Sequence, residues 1–144
     1  MAIDLRPYAE PIDNALAEGA ICAVATNGAG GPPDIGLKGS MLVFDQDHLA
    51  YWERTRGQLL TNLRRDPRIA VLYFNRKRRR YVRLFGEARL YEEGPLREAI
   101  MGRVIEGELS FDPERKGIGV LIRVDRLEEP FAGVSQRRED AEGA

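Results

Sequence analysis

Apolar residues along the chain follow two spacings, and the change from one to the other predicts where strands give way to helices. Continuous or alternating apolar runs are typical of strands, whereas apolar residues three and four positions apart are typical of helices. The six predicted strands cover residues 20–26, 34–44, 48–53, 69–74, 81–91 and 119–127. Three short helices are predicted. They cover residues 7–18, a segment with Leu59, Leu60 and Leu63 on one face, and residues 95–105.

The order of these elements predicts a mainly β fold. Hairpins join most of the strands and the helices are short, so we expect an antiparallel barrel or curled sheet with helices packed outside it. Gly86, inside the long strand 81–91, predicts a bulge or sharp bend of the kind that curling strands need. We expect one domain over residues 1–134 and a disordered, charged tail over residues 135–144.

Composition narrows the classes of function. The chain has 144 residues, and its 22 basic and 23 acidic side chains nearly cancel, so no overall field attracts nucleic acid or an anionic membrane. Cys22 is the single cysteine and lies in an apolar run, which predicts a buried and inert thiol. The sequence contains no signal pattern and no run of about 20 apolar residues, so we expect a cytoplasmic protein.

A search for a self-contained catalytic centre finds few residues. His48 is the single histidine and lies beside a predicted turn, where a structural role is the simpler interpretation. Zinc coordination and Cys–His catalysis both require more histidines or cysteines than the chain contains. A pair formed by Ser40 and Lys38 is chemically conceivable, but nothing distinguishes it from an anion site. We therefore predict no metal site and no catalytic side chain, and expect a bound cofactor to carry any difficult chemistry.

Residues 36–58 contain the groups that a phosphate requires. Phosphate binding calls for charge-assisted donors, a hydroxyl group and backbone N–H groups at the start of a helix. Lys38-Gly39-Ser40 on one strand and Glu53-Arg54-Thr55-Arg56 before a helix could supply all three. The alternative is a solvated basic loop in which Thr55 caps the helix. The residue types alone support the two interpretations equally.

The run Arg76-Lys77-Arg78-Arg79-Arg80 is the strongest local concentration of charge in the sequence. It lies between two predicted strands, where a solvated hairpin turn that protects the sheet from edge association is the favoured interpretation. No recognition helix or stacking aromatic residue accompanies it, so we expect no nucleic-acid partner.

The order of the motifs between residues 8 and 128 resembles that of the pyridoxamine 5'-phosphate oxidase-like flavoproteins. Their Ser/Thr-Arg-Lys phosphate motif matches Thr55-Arg56-Gly57. Their helix-to-strand pattern N-L-x-x-x-P-x-x-A-V matches residues 62–71, and their strand pattern R-x-V-R-x-x-G matches residues 80–86. Each motif is weak alone, and the order and spacing of the three carry the resemblance.

The resemblance implies an FMN-binding, six-stranded split β-barrel that forms a homodimer, with FMN at the subunit interface and touched by both chains. In this arrangement Lys38, Ser40 and residues 54–56 would bind the phosphate and ribityl oxygens. Strand backbone at residues 36–39, together with Tyr51-Trp52, would line the flavin ring. The implied cofactor-binding residues are Lys38, Gly39, Ser40, Tyr51, Trp52, Glu53, Arg54, Thr55, Arg56 and Gln58, with Arg80 and Arg83 at the flavin edge or the dimer contact.

The sequence also departs from the family pattern. Gly57 replaces the second basic residue of the phosphate motif, so Arg54 or Lys38 would have to compensate. Tyr81 replaces a glutamine that the true oxidases place near the flavin. The C-terminal tryptophan, the Arg-x-His and the R-L-x-P of those oxidases are absent, so the resemblance does not extend to oxidation of pyridoxamine phosphate.

The resulting hypothesis is an FMN-dependent oxidoreductase that passes hydride to or from a small organic molecule. Related split barrels are also implied to bind the deazaflavin F420 or haem. F420 would indicate a reductase on the same fold, whereas haem needs an axial ligand that His48 alone would have to supply. The second class of hypothesis is a non-enzymatic module that stores or senses flavin, and Gly57 in the phosphate motif favours it.

Overall fold

The computed structural model of the chain describes residues 2–28 and 30–139. The strands are β1 (Cys22–Thr26), β2 (Asp34–Lys38), β3 (Leu42–Val43), β4 (His48–Glu53), β5 (Arg68–Asn75), β6 (Arg80–Tyr91), β7 (Ile118–Glu129) and β8 (Val134–Arg137). The helices are α1 (Ala9–Asp13), α2 (Gln58–Arg65), α3 (Pro95–Met101) and α4 (Glu106–Leu109), with 3₁₀ turns at Arg6–Tyr8, Leu16–Glu18 and Pro130–Ala132. None of the described helices is long and apolar enough to cross a bilayer.

The described strands form one antiparallel sheet in the order β2-β1-β5-β6-β7-β4-β3, with β8 paired to β7. The two twelve-residue strands β6 and β7 form its centre, and the register between them shifts between Phe85 and Gly86. This is the bulge that the sequence predicts, and it increases the local twist so that the sheet curls. The prediction of a split β-barrel with short peripheral helices is thereby confirmed. Eight described strands replace the predicted six, because residues 34–44 form two strands and β8 is added near the C-terminus.

Apolar side chains fill the two sides of the curled sheet in separate clusters. Alternation along β1, β4, β6 and β7 points one set inward, where the N-terminal segment 3–15 packs against it. A smaller cluster on the outer side lies beneath α3 and α4 and includes Trp52, Ile100 and Leu121. Each helix therefore covers a defined part of the sheet.

Two predicted elements are interrupted where the chain must change direction. The predicted strand 34–44 is two strands, because β2 and β3 lie at opposite edges of the sheet and residues 39–41 connect them. A Cβ at Gly39 would lie 2.5 Å from Glu108 Oε1, so this connection passes close to the side chain of Glu108 in α4. The predicted helix 7–18 shortens to α1, because Asn14 donates its side-chain amide to the Glu10 carbonyl and ends the regular turn.

The C-terminal third differs from the sequence prediction in two places. The predicted helix 95–105 ends at Met101, and extended backbone at Ile105 separates it from α4. The predicted disordered tail begins too early, because Val134–Arg137 form β8 on the free part of β7. Gln136 also exchanges two hydrogen bonds with the backbone of Asp4, which adds long-range contacts that composition alone does not reveal. Residues 140–144 of the predicted tail lie outside the described residues.

Side chains join the two open edges of the curled sheet. β2 forms one edge, and the part of β4 beyond its short pairing with β3 forms the other. Lys38 ends β2 and Glu53 ends β4, and Lys38 Nζ lies 2.9 Å from Glu53 Oε1. Ser40 Oγ accepts a hydrogen bond of 3.0 Å from the backbone N–H of Trp52. Side chains therefore close the barrel where the strand order contains no ladder between β2 and β4.

Glu53 is ionised in this closure although its side chain is 0% exposed. Burial alone would raise the pKa of Glu53, but the hydrogen bond and charge of Lys38, together with donors from Thr55 and Arg56, outweigh burial and lower it. Its Oε2 accepts from Thr55 N at 3.0 Å, Thr55 Oγ1 at 2.8 Å and Arg56 N at 3.1 Å. Both carboxylate oxygens are thus satisfied, which is the condition for holding a charge in the interior.

The bulge in β6 predicts that Gly86→Ala is strongly destabilising. A Cβ at this position would lie 1.8 Å from the Arg123 carbonyl oxygen, so backbone in β7 has to move. We expect a loss of about 3 kcal/mol in the free energy of unfolding, measured by urea denaturation. Gly107→Ala is the control, because nothing lies within 4 Å of its added methyl group. Equal stability of Gly86→Ala and wild type would show that the bulge does not need glycine.

The buried ion pair predicts that Glu53→Gln loses about 3–5 kcal/mol of stability, because Lys38 stays buried without its counter-charge. Since folding lowers the pKa of Glu53, its contribution is present above the unfolded-state value of about 4.3 and is lost as pH falls through the folded-state pKa. The acid limb of the stability curve should therefore be steeper for wild type than for Glu53→Gln. Glu114→Gln, in an exposed pair with Lys116, is the control and should change stability by less than about 1 kcal/mol. Identical acid limbs would contradict the assignment.

Candidate functional site

The loop between β4 and α2 brings together most of the residues that the sequence assigns to a phosphate. Arg56 adopts a left-handed backbone conformation with φ +54°, which turns the N–H groups of Thr55 and Arg56 toward the same point. In this structure that point is occupied by the carboxylate of Glu53. The loop is thus a small anion-binding turn that holds a side chain of its own.

Three of the assigned phosphate ligands have internal partners. Lys38 pairs with Glu53, Ser40 pairs with the backbone of Trp52, and the Thr55 hydroxyl donates to Glu53. Lys38, Ser40 and Thr55 therefore lie close together, and their hydrogen bonds serve the closure of the barrel. A phosphate could use them only by displacing a buried carboxylate.

Two arginine side chains of the loop remain open to solvent. Arg54 stacks over the ring of Phe111 at 4.8 Å, which directs its guanidinium along the surface. Arg56 lies 3.5 Å from Glu92, a longer contact than the 2.6 Å between Glu92 and Arg64. The charge of the loop is therefore presented outward, on the solvent side of Glu53.

Helix α2 begins beside these arginines, and its N-terminus has no side-chain cap. Thr55 therefore does not cap the helix, contrary to the simpler of the two sequence interpretations. Gln58 instead donates to Asn62 Oδ1 at 2.7 Å, and Asn62 donates to Thr26 Oγ1 on β1. This chain of amides orients α2 on the sheet and leaves the first backbone N–H groups of the helix for an anion.

The two aromatic residues assigned to the flavin ring lie inside the protein. Tyr51 is fully buried in the main cluster, and burial raises the pKa of its phenol. Trp52 is buried beneath α3, where its Nε1 donates to Asp112 Oδ2 at 2.8 Å and Arg97 stacks on its ring. Their side chains therefore cannot form the wall of a surface site, and the expectation is corrected: only their backbone is available.

Arg80 and Arg83 have different surroundings. Arg80 Nε donates to Glu129 Oε1 at 2.7 Å, and Glu129 also accepts from the hydroxyl of Tyr8 at 2.6 Å. Arg80 therefore fastens the N-terminal segment to β7. Arg83 is half exposed, 3.6 Å from Glu128, and stacks on the ring of Phe85. Arg83 alone of this pair borders an open surface.

The sequence analysis missed an exposed apolar surface, which we call the open face. It consists of outward side chains on β1, β2, β5 and β6 that the strand register brings side by side. The open face contains Ala23, Ala25, Ile35, Leu37, Ala70, Leu72, Phe74 and Phe85. Ile35 and Leu37 are 71% and 63% exposed, while the alternate position Lys38 is buried. In β2 the apolar side chains face solvent and the lysine faces the interior, which is the opposite of the usual alternation. The sequence gives no sign of this reversal, because it depends on the buried position of Lys38.

The basic run in the β5–β6 turn is partly engaged within the chain. Arg78 forms ion pairs with Glu18 at 2.5 Å and Glu10 at 2.8 Å, which tie this turn to the N-terminal segment. The hydrogen bond from Asn75 to Glu18 adds to the same contact. These partners give Arg78 a structural role.

Comparison with known proteins supports the fold and assigns a family. The family model for pyridoxamine 5'-phosphate oxidase matches residues 9–125. A search of curated proteins finds no match. Among solved structures, HupZ of Group A Streptococcus is 27% identical with a TM-score of 0.68, covering 88% of this chain and 97% of HupZ.

Two further structures share the fold at lower identity. An FMN-binding protein from Syntrophomonas wolfei has a TM-score of 0.68 at 12% identity, and the match covers 87% of each chain. An F420 reductase has a TM-score of 0.61 at 13% identity, and the match covers 83% of this chain and 94% of the reductase. At such identities the similarity shows the fold alone. The family model, which spans most of the sequence, shows that this chain belongs to the pyridoxamine 5'-phosphate oxidase family.

Proposed function

We propose that the protein binds FMN and acts as a flavin-dependent oxidoreductase on a small organic molecule. The observation that carries the proposal is that two solvent-facing cationic side chains, Arg54 and Arg56, lie in the loop directly after Glu53, the partner of Lys38 at the end of β2. Lys38 of β2 pairs with Glu53 at the start of their loop, so the loop and the exposed residues of β2 are neighbours. An anionic tail and an apolar ring system are the two parts of a phosphorylated flavin.

The donor chemistry of this region fits such a cofactor on the outer side of Glu53. Arg54 and Arg56 would hold the phosphate together with the uncapped N-terminus of α2, because both offer donors to an anion. The apolar side chains of β2, with Ile35 and Leu37 foremost, would cover a face of the ring. Lys38, Ser40 and Thr55 would support the loop from beneath. When bound, the flavin supplies hydride transfer, and the chain's own part is to bind, orient and shield it.

We further propose that a second copy of the chain covers the open face and completes the site. A contiguous apolar surface of this kind marks an interaction site rather than a solvated surface. An interface between two identical copies requires a self-complementary patch, and an apolar patch meets this condition without opposed charges. The partner's sheet would then enclose the flavin that one copy leaves half exposed. A cytoplasmic location is part of the same proposal.

The spectrum of the purified protein tests cofactor binding directly. We expect a yellow protein whose released chromophore has the mass of FMN, whereas F420 would identify the reductase alternative. A colourless protein that also fails to bind added FMN would overturn the proposal. Reduction by NADH or NADPH, followed by a screen of acceptors, tests turnover. Tight flavin binding without turnover would instead support the storage or sensing module.

The phosphate contact predicts that Arg56→Ala weakens FMN binding by about 1.5–3 kcal/mol, or roughly ten- to hundredfold. Riboflavin lacks the phosphate, so its affinity should stay the same in a parallel fluorescence titration. Arg65→Ala is the matched control, since Arg65 is an exposed arginine at the other end of α2. Unchanged FMN affinity in both Arg54→Ala and Arg56→Ala, or an equal loss for riboflavin, would place the phosphate elsewhere.

The open face predicts that Leu72→Asp converts a dimer into a monomer, because the partner would have to bury an unpaired carboxylate. Light scattering after size exclusion measures the mass. Leu16→Asp is the control: both leucines are 38% exposed, but Leu16 lies in a 3₁₀ turn outside the open face. A monomeric wild type, or a dimer that persists in Leu72→Asp, would contradict the proposed interface.

A further inference from the structure

A cavity lies on the outer side of the sheet, on β4, β7 and β6. It has a volume of about 290 Å³, and we call it the His48 pocket. Its lining residues are His48, Glu87, Arg89, Tyr91, Leu121 and Arg123. None of them belongs to the loop or the open face described above. The proposed flavin site therefore leaves this cavity without a role.

Strand register builds the pocket row by row. His48 on β4 and Glu87 on β6 both pair with Arg123 on β7, so these three side chains stand in one row on the same face. Arg89 and Leu121 form part of the next row. Leu121 is also covered by Ile100 of α3, which bounds the pocket on that side. The result is an apolar floor surrounded by polar side chains.

The imidazole of His48 is held in a fixed orientation. Its Nδ1 lies 2.9 Å from Asp45 Oδ1 and 2.9 Å from Asp47 Oδ1. Arg138 in turn binds Asp47 Oδ2 at 3.1 Å, which fixes that carboxylate. Nδ1, between two carboxylates, carries the proton as a donor, so Nε2 is an acceptor that faces the pocket. In the described part of the chain, Nε2 has no hydrogen-bond partner.

Among the described residues that line the pocket, Arg89 is the one cation without a carboxylate partner of its own. Arg123 is neutralised by Glu87 at 2.9 Å and by Asp125 at 2.9 Å. Arg89 forms no ion pair or hydrogen bond among the described residues and is exposed. A ligand that carries one negative charge would balance Arg89, whereas a second negative charge would face the carboxylate of Glu87.

We propose that the His48 pocket binds a small organic carboxylate. Arg89 would pair with the carboxylate group, because guanidinium and carboxylate match in two-donor geometry. The hydroxyl of Tyr91 is the remaining donor to the carboxylate, and Leu121 receives the apolar part of the ligand. His48 Nε2 can only accept, so the imidazole lies beside the ligand and reports its binding without donating to it. The volume suits a molecule about the size of benzoate and is below that of most cofactor sites.

His48 provides the means to test the proposal, because it is the single histidine in the sequence and its imidazole C–H signal in a proton NMR spectrum needs no assignment. Sodium benzoate is titrated into wild-type protein at constant pH and ionic strength. We expect a saturable shift of that signal. In Arg89→Ala the apparent dissociation constant should rise about tenfold or more. Arg89 has no internal partner to lose, so the variant should fold, and a retained His48 signal checks this.

Arg76→Ala is the matched control, since it removes the same charge from the turn at the opposite end of β6 and should leave benzoate affinity unchanged. Inorganic phosphate is titrated in parallel. Three results would overturn the proposal: no saturable shift with benzoate, equal weakening in Arg89→Ala and Arg76→Ala, or binding of phosphate at least as tight as that of benzoate. The last result would identify a general anion site.

Discussion

The buried contact between Lys38 and Glu53 is the interaction on which the rest of the structure depends. It joins strands from opposite edges of one sheet at a place where no backbone ladder connects them. An ion pair in the interior is stable only when its remaining hydrogen-bonding capacity is filled, and here Thr55 and Arg56 fill it. Closure of the barrel and the conformation of the following loop are therefore one arrangement.

This arrangement decides what the loop can do chemically. The residue types predict a phosphate site in which lysine, serine and threonine act together. In the structure those three side chains form hydrogen bonds that close the barrel, and only Arg54 and Arg56 of the loop point outward. Glu53 is thus the inner anion of the turn, and an external anion would meet the arginines instead. Gly57 is consistent with an anion held by the outward-facing arginines, because a glycine at this position of the family motif has no side-chain donor.

The outer surface of the curled sheet is divided by what covers it. Helices α3 and α4 bury the end that carries Trp52. The open face on β1, β2, β5 and β6 carries exposed apolar residues that three strand pairings align side by side, among them Ile35, Leu37 and Phe74. The His48 pocket lies on a third part, on β4, β6 and β7, where charged residues line the surface. One sheet thereby presents an apolar surface and, apart from it, a polar cavity.

Most strands and helices, the bulge at Gly86 and the family could be predicted from the sequence, because these follow from local spacing and from the order of the motifs. The contacts between distant side chains and strands could not be predicted from the sequence. Nothing local indicates that Glu53 would pair with Lys38, that Asp112 would accept a hydrogen bond from Trp52, or that residues 134–137 would pair with β7 as β8. Such contacts join residues far apart in the chain or depend on which side of a strand faces inward. Lys38 shows the physical reason: alternation in β2 allows either face to be buried, and only the counter-charge of Glu53, delivered by the curling of the sheet, makes burial of the lysine the stable choice.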